Sequence, residues 1–460
     1  MFSEKTITAL VTAPVTQNIA LIRISGPETY NLIRKIFDHP LPEYPQKKPQ
    51  LVVGNIINQN KEIIDQVLLL CFYKPHSFTG EDVIEISCHG NLFIVNQILR
   101  LILENGTELA KEGEFTKQAF FNDKLNLIQA QAINDLIRAP TLSASKLALH
   151  NLNPQTQKEF TKLLKIIADQ LLKIIAIIEV NIDYPEYDGV EYLTGKAALN
   201  RLQKIRRELE KLLSLGQQAR IYQEGVKVAI IGKPNVGKST LLNALLQEEK
   251  AIVSSLAGTT RDVIEGKYNL KGIPLILFDT AGIRKAKNIV EKIGVSRSQK
   301  VLKKAELTFF LLDNSRAWSQ EDTKIWKLVK NKKIVIIINK TDLKKKLKLP
   351  NEILAKNPVS INAKREEIKG LEAGVEKLLT KNLGNIHSPY PFLSHSWQQS
   401  KLQELAKKID EIIQALKQEI PLDVVSGDLK IIFHLLKELS GKEYNEKLLD
   451  VIFSEFCLGK

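Results

Sequence analysis

The stretch Gly232-Lys233-Pro234-Asn235-Val236-Gly237-Lys238-Ser239 follows the apolar run Val226–Ile231 without a gap and leads into the helical pattern Leu241–Leu246. Strand, glycine loop and helix start, in that order, are the setting in which a phosphate-binding loop works. Gly232 and Gly237 let the backbone curl around an anion, and the free N–H groups at the helix start point at it. Lys238 brings a positive charge to the β- and γ-phosphates, and the Ser239 hydroxyl is a ligand for Mg²⁺. A chance glycine turn does not come with that strand and that helix.

Working outward, strands alternate with helices. Val226–Ile231, Pro274–Phe278, Leu307–Leu312 and Ile334–Ile338 are apolar almost throughout, as strands of a parallel sheet covered on both faces are. A doubly wound, Ras-like α/β domain is expected over 219–383. Two of its strands end in chemically specific groups. Asp279-Thr280-Ala281-Gly282 closes one, where the Asp holds the Mg²⁺ shell and Gly282 admits the γ-phosphate. Asn339-Lys340-Thr341-Asp342 closes another, where the Asp342 carboxylate accepts from guanine N1–H and the 2-amino group. Adenine lacks that edge, and a site built to pair a polar edge rejects analogues without it. Forty-seven residues separate Gly232 from Asp279 and 60 separate Asp279 from Asn339, spacings suited to a small GTPase domain. GTP with Mg²⁺ is the expected ligand.

Further positions join this site. Val236 and Thr240 complete the loop and helix start. Asn362-Ala363-Lys364 stands where a Ser-Ala-Lys triplet is expected, with the Ala363 N–H as donor to guanine O6. Gly258-Thr259-Thr260-Arg261-Asp262 lies between the first helix and the next strand, the place of a switch loop, and Ser254, Ser255, Leu256 and Ala257 lead into it. Thr260 completes the Mg²⁺ shell only when γ-phosphate is present. Where Ras-like enzymes carry a water-orienting Gln after Asp-x-x-Gly, this chain has Ile283, which cannot orient water. Glu291, a little further on, can act through a bridging water. On spacing alone, a surface ion pair with Lys287 or Arg284 is the plainer reading of it.

The flanks differ in texture. In 1–120, Ala20–Ile24, Leu51–Ile57, Val67–Phe72 and Val83–Ser87 read as strands, and Glu28–Phe37 and Leu92–Leu103 as helices, an α+β pattern. Residues 121–218 are helical, with Phe160, Leu163, Leu164, Ile167, Leu171, Ile174, Ile175 and Ile178 at helical spacing and a second helix over Ala197–Leu215. Residues 384–460 are helical again. The two helical segments are expected to form one domain into which the α/β unit is inserted.

Composition sets limits on all of this. The 460 residues suggest about three domains, and 44% hydrophobic with 26% charged residues describes a folded chain. Cys71, Cys88 and Cys457 are few, odd in number and far apart, with no Cys-x-x-Cys, against both a disulfide scaffold and a structural zinc site. No secretory signal layout opens the chain and no run of about eighteen apolar residues occurs, so no membrane span and a cytoplasmic location are expected. The net charge of +14 allows a polyanionic partner. The lysine-rich stretches Lys327–Lys333 and Lys344–Lys348 read as solvated faces.

Motifs along the whole chain carry a resemblance. Leu21-Ile22-Arg23-Ile24-Ser25-Gly26, Ser77-Phe78-Thr79-Gly80-Glu81-Asp82-Val83, Cys88-His89-Gly90, Gly113-Glu114-Phe115-Thr116, Phe121-Asn122-Asp123-Lys124-Leu125, the loop Asn181–Tyr187, Gly258–Asp262 and the end Phe456-Cys457-Leu458-Gly459-Lys460 resemble the MnmE (TrmE) family of tRNA-modification GTPases over nearly the full length. The resemblance implies an N-terminal folate-binding and dimerising domain, a homodimer, and a flavin-dependent partner, MnmG (GidA), which carries the FAD. It implies formation of 5-carboxymethylaminomethyluridine, or the aminomethyl form, at the tRNA wobble uridine. The one-carbon unit comes from 5-formyl- or methylene-tetrahydrofolate. Arg23, Glu85, Lys124 and Lys460 match folate-contacting positions, and Cys457 the cysteine required for modification. The family is K⁺-activated: Asn235 matches the K⁺ ligand, with Ser254, Leu256 and Thr259 around it, and Glu291 matches the water-orienting glutamate. Two departures stand out: Pro14–Ala20 lacks the family's glycines, and Ser254 replaces the usual Thr.

Other readings fit less of the chain. A ribosome-assembly GTPase of the Era or EngA type would carry an RNA-binding KH-like module or a second GTPase domain. Only one phosphate loop is present, and no Gly-x-x-Gly follows Gly384. A dynamin-like scaffold would show an amphipathic membrane tip, and none stands out.

Overall fold

The computed structural model describes residues 5–183, 195–247, 266–278, 302–380, 388–439, 446–454, 456 and 459. They fall into two compact units, one of residues up to Asn134 with those from Lys437 on, the other from Asp135 to Leu436.

The first unit begins with β1 (Ile7–Leu10), β2 (Ile19–Ser25), α1 (Thr29–Ile36), β3 (Gln50–Ile57), β4 (Ile63–Phe72) and β5 (Val83–His89). It continues with α2 (Leu92–Glu104), β6 (Glu108–Leu109), α3 (Glu114–Phe121) and α4 (Leu127–Arg138). The sheet order is β3-β4-β5-β2-β1-β6, antiparallel except for β6 beside β1. Period-two alternation decides its faces. Ala20, Ile22 and Ile24 turn into a core shared with Ile33, Ile36, Ile98 and Ile102 of α1 and α2. Arg23 therefore lies on the other face, directly across from Glu85 of β5.

The second unit carries α5 (Leu142–Leu152), α6 (Pro154–Asp183) and α7 (Gly195–Gln223) before its sheet. Next come β7 (Val226–Ile231), α8 (Lys238–Gln247), β8 (Gly266–Leu270), β9 (Ile273–Phe278), β10 (Leu307–Asp313), α9 (Gln320–Val329) and β11 (Ile334–Asn339). Then follow α10 (Asn351–Leu354), β12 (Val359–Ser360), α11 (Lys369–Thr380), α12 (Ser396–Lys417) and α13 (Leu422–Leu439). A last helix, α14 (Glu446–Ser454), belongs to the first unit.

The sheet of the second unit runs β12-β11-β10-β7-β9-β8. Five strands are parallel, and β10 at the centre is buried at every residue. The expected parallel sheet gains an antiparallel edge, β8, paired with β9 through a tight hairpin. Tyr268 and Leu270 of β8 face inward while Lys267 alternates outward, the pattern of an edge covered on one side only. Leu241, Leu242 and Leu245 of α8 pack on one face of the sheet, and Trp326 and Val329 of α9 on the other. This is a Ras-like, P-loop GTPase fold inserted among helices.

Helices from both sides of the insertion meet. α12 lies along α7, with Arg206 Nε 2.9 Å from both oxygens of Asp410. Asn151 of α5 holds both the N–H (2.7 Å) and the C=O (3.0 Å) of Phe392. No helix among the described residues is long and apolar enough to cross a membrane.

Candidate functional site: a phosphate cradle and a sheet-face ion pair

The loop 232–238 is shaped by what its carbonyls touch. Lys238 Nζ donates to the carbonyls of Gly232 (2.8 Å) and Lys233 (2.7 Å). Lys340 Nζ donates to Asn235 O at 2.8 Å, and Asn339 Nδ2 to Val236 O at 3.0 Å. Four carbonyls are thus held by cations and an amide. Because peptide units are planar and trans, turning the C=O groups to these partners presents the N–H groups on the opposite side, where an anion is bound by such nests. Two residues make the curl possible. Gly237 sits at φ +99, and a Cβ there would collide with Asn339 Nδ2. Asn235 takes φ +64, a conformation Asn tolerates better than most residues.

Burial draws the Lys238 ammonium below its usual range. A cation partly stripped of water, with neutral carbonyls for company, gains from an arriving phosphate. Ser239 and Thr240 are exposed at the first turn of α8. Ser239, expected as a Mg²⁺ ligand, thus has its side chain open to solvent at the helix start.

The base end is anchored through Asn339, 2% exposed. While its Nδ2 holds Val236, its Oδ1 accepts from the Ala363 N–H at 3.0 Å. That N–H, expected at guanine O6, has to be shared or released to reach it. Asn362 Oδ1 is buried with no hydrogen-bond partner among the described residues. Thr341 Oγ1 donates to Ile361 O, tying the two base segments together. Asp342 and Lys364 are exposed. Lys340 also meets Asp313 at 2.7 Å. Burial opposes the charge on Asp313, but hydrogen bonds from Lys340 and Ser315 prevail and hold its carboxyl below the usual range. Asp313, Lys233 and Asp322 were not singled out from sequence, although Ser319-x-x-Asp322 is a legible capping box. Ser254 to Thr260, Asp279 to Gly282, Glu291, Cys457 and Lys460 lie outside the described residues, as does most of the loop after Asn181.

In the first unit, Arg23 Nε and Nη2 meet Glu85 Oε1 at 2.8 and 2.7 Å, with side chains 11% and 17% exposed. Arg23 lies 5.4 Å from the ring centres of both Phe78 and Phe115 and donates through Nη1 to Gly459 O at 3.3 Å. The C-terminal tail thus returns to the sheet. Gly113 makes room for it: a Cβ there would strike the Phe453 carbonyl of α14. Lys124 Nζ reaches Pro75 O (2.8 Å), and Asn122 Nδ2 holds Thr79 O (2.7 Å). Thr79 and Ser25 share a hydrogen bond at 2.8 Å, and Ser25 donates to Glu81 at 2.7 Å. The 75–82 loop is thus tied to Lys124 at Pro75, to Asn122 at Thr79 and to Ser25 of β2 at Thr79 and Glu81. Burial raises the Glu81 carboxyl above its usual range. A guanidinium, a carboxylate and two aromatic rings thus meet on this face of the sheet, the two charges paired with each other.

Fold and cradle together define a P-loop GTPase whose nucleotide domain interrupts a helical domain and follows an α+β domain. A family model described as the MnmE helical domain matches residues 127–457, and one described as the GTP-binding protein TrmE N-terminus matches 6–124. The tRNA modification GTPase MnmE of Bacillus licheniformis is 40% identical over 463 residues, covering 99% of this chain and 100% of its own length. That of Staphylococcus aureus strain MSSA476 is 39% identical over 464 residues, covering 99% of each. The chain belongs to the MnmE (TrmE) family of tRNA modification GTPases.

Proposed function

We propose that this protein is a K⁺-activated GTPase of tRNA modification. With a flavin-dependent partner of the MnmG (GidA) kind it forms 5-carboxymethylaminomethyluridine, or the aminomethyl form, at the wobble uridine, from a tetrahydrofolate one-carbon unit. The observation that carries the reading is the cradle at 232–238, its carbonyls held by Lys238, Lys340 and Asn339, in a chain that belongs to this family throughout.

In this reading Lys238 and the loop N–H groups bind the phosphates of GTP, Ser239 and Thr260 hold Mg²⁺, and Asp342 reads the guanine edge. Asn235, whose side chain is exposed at the loop's left-handed residue, holds K⁺ with Ser254, Leu256 and Thr259. K⁺ supplies the positive charge that an arginine finger supplies elsewhere. Glu291 orients the attacking water in place of the missing Gln. Arg23, Glu85, Lys124 and Lys460 hold the reduced folate, and Cys457 serves the modification. FAD belongs to the partner. The chain acts as a homodimer through domain 1–120, with helical parts 121–218 and 384–460 and the GTPase domain at 219–383.

GTP turnover in K⁺ against Na⁺, with Glu291→Ala as control, tests this. Fast hydrolysis in K⁺ alone, lost in the variant with GTP binding kept, is the expected result. Equal rates in both salts refute the cation role.

A further inference from the structure

Lys233 does something that neither the phosphate-loop pattern nor the proposed roles above require. It follows the first glycine of the loop, where a side chain is free to point into water. Instead its Nζ lies 2.6 Å from Asp322 Oδ2 and 3.1 Å from Ser319 Oγ, with side chains of Lys233 and Asp322 only 10% and 3% exposed. Asp322 is already engaged. Its Oδ2 takes the Ser319 N–H and Oγ–H, each at 2.9 Å, in the capping box that starts α9. A carboxylate at a helix N-terminus suits the dipole, and the capping box holds Asp322 in place independently of Lys233. Helix α9 is itself rigidly placed: Trp326, 5% exposed, stacks on Phe310 of the central strand at 6.2 Å.

Stability alone is a poor reason for such a pair. Drawing two charges out of water costs about as much as their attraction returns, and ordering a long lysine side chain costs rotamer entropy as well. The backbone of Lys233 supplies a better one. Its carbonyl is one of the two that Lys238 Nζ grips. The loop's second residue is therefore clamped twice, by its side chain to α9 and by its carbonyl to the phosphate-binding lysine.

We propose that Lys233 is a positioning residue for nucleotide binding: its buried pair with Asp322 fixes the carbonyl that aims Lys238 at the phosphates. The role rests on the nucleotide reading of the loop and adds to it a connection from α9 to the phosphate-binding lysine. Releasing Lys233 frees its peptide to rotate, and Lys238 loses one of its two carbonyl guides. Because the β-phosphate is common to GDP and GTP, both nucleotides weaken together.

The test is titration of the full-length chain with a fluorescent N-methylanthraniloyl GDP, beside thermal melts of the nucleotide-free protein. Lys233→Met and Asp322→Asn should each raise Kd about tenfold. Lys233→Arg should stay near wild type, because it keeps the cation. The Lys233→Met/Asp322→Asn double variant should be no worse than the poorer single one. In a Lys238→Ala background, Lys233→Met should change Kd less than twofold. That result separates positioning from a general loss of stability, which would persist in that background. Kd within twofold of wild type for both Lys233→Met and Asp322→Asn, with melting temperature lowered, overturns the role. So does a full tenfold effect of Lys233→Met without Lys238. Wild-type chain that fails to bind the probe overturns the nucleotide reading and this role with it.

Discussion

Replacing Asn339 with Asp changes one atom and almost no volume, yet it separates the two jobs of that side chain. Oδ1 can still accept from the Ala363 N–H, now 3.0 Å away. The Nδ2 donor to Val236 O, also at 3.0 Å, becomes an oxygen facing an oxygen. One lost hydrogen bond is worth about 1 kcal/mol, and the buried carbonyl left behind costs about 1–3 kcal/mol more. These two terms come to about 2–4 kcal/mol, and a charge at a position 2% exposed adds to them, so a loss of at least about 2 kcal/mol is expected at pH 8. Protonation restores a donor. The carboxyl at 339 therefore has a folded-state pKa above its unfolded value of about 3.9. Its contribution is best below the unfolded pKa and is lost as pH rises through the folded one, so the defect shrinks from pH 8 to pH 5.5. Denaturant melts followed by tryptophan fluorescence suit the question, since Trp318 and Trp326 both lie against Phe310 in this domain. The chain has several folding units, so the midpoint of the transition those residues report is the quantity to compare. A variant within about 0.5 kcal/mol of wild type at pH 8, or one that is worse at pH 5.5, refutes the reasoning.

Gly237→Ala should abolish guanine-nucleotide binding while leaving the circular dichroism spectrum intact, because φ +99 and the clash with Asn339 distort the loop alone; retained affinity in calorimetry would contradict this. Arg23→Met strands Glu85 against the sheet and should cost about 2–4 kcal/mol. Adding Glu85→Gln should recover part of that loss, as a double-mutant cycle on urea melts would show. Burial pushes the Cys71 and Cys88 thiols up from 9.0 to about 11, so both should resist iodoacetamide at pH 8 in the native chain, read by mass spectrometry. The same two groups stabilise the fold fully below pH 9 and cease to do so as pH rises through about 11, so the melting temperature should fall across that range.

Much of the fold was legible because its signals are local. The apolar runs at 226–231, 307–312 and 334–338 became β7, β10 and β11 with their ends nearly in place, since fully buried strands need continuous apolar sequence. The helix over Ala197–Leu215 extends to Gly195–Gln223. Short or half-polar strands were not legible. β1, β6, β8 and β12 have 4, 2, 5 and 2 residues, and such segments become strands only when a neighbour supplies the ladder.

The site divides in the same way. Sequence by itself determined the phosphate loop, because a tight curl needs residues that accept positive φ and a helix start needs no distant partner. It also named Arg23, Glu85 and Lys124, though only through family motifs. Tertiary structure alone decided what holds each of them: Asn235 by Lys340 across 105 residues, Val236 by Asn339 across 103, Lys233 by Asp322, and Arg23 by Glu85 and by Gly459 across 436. Backbone conformation is written into neighbouring residues, whereas such pairings exist only once sheet order and helix packing have brought remote segments within hydrogen-bonding distance.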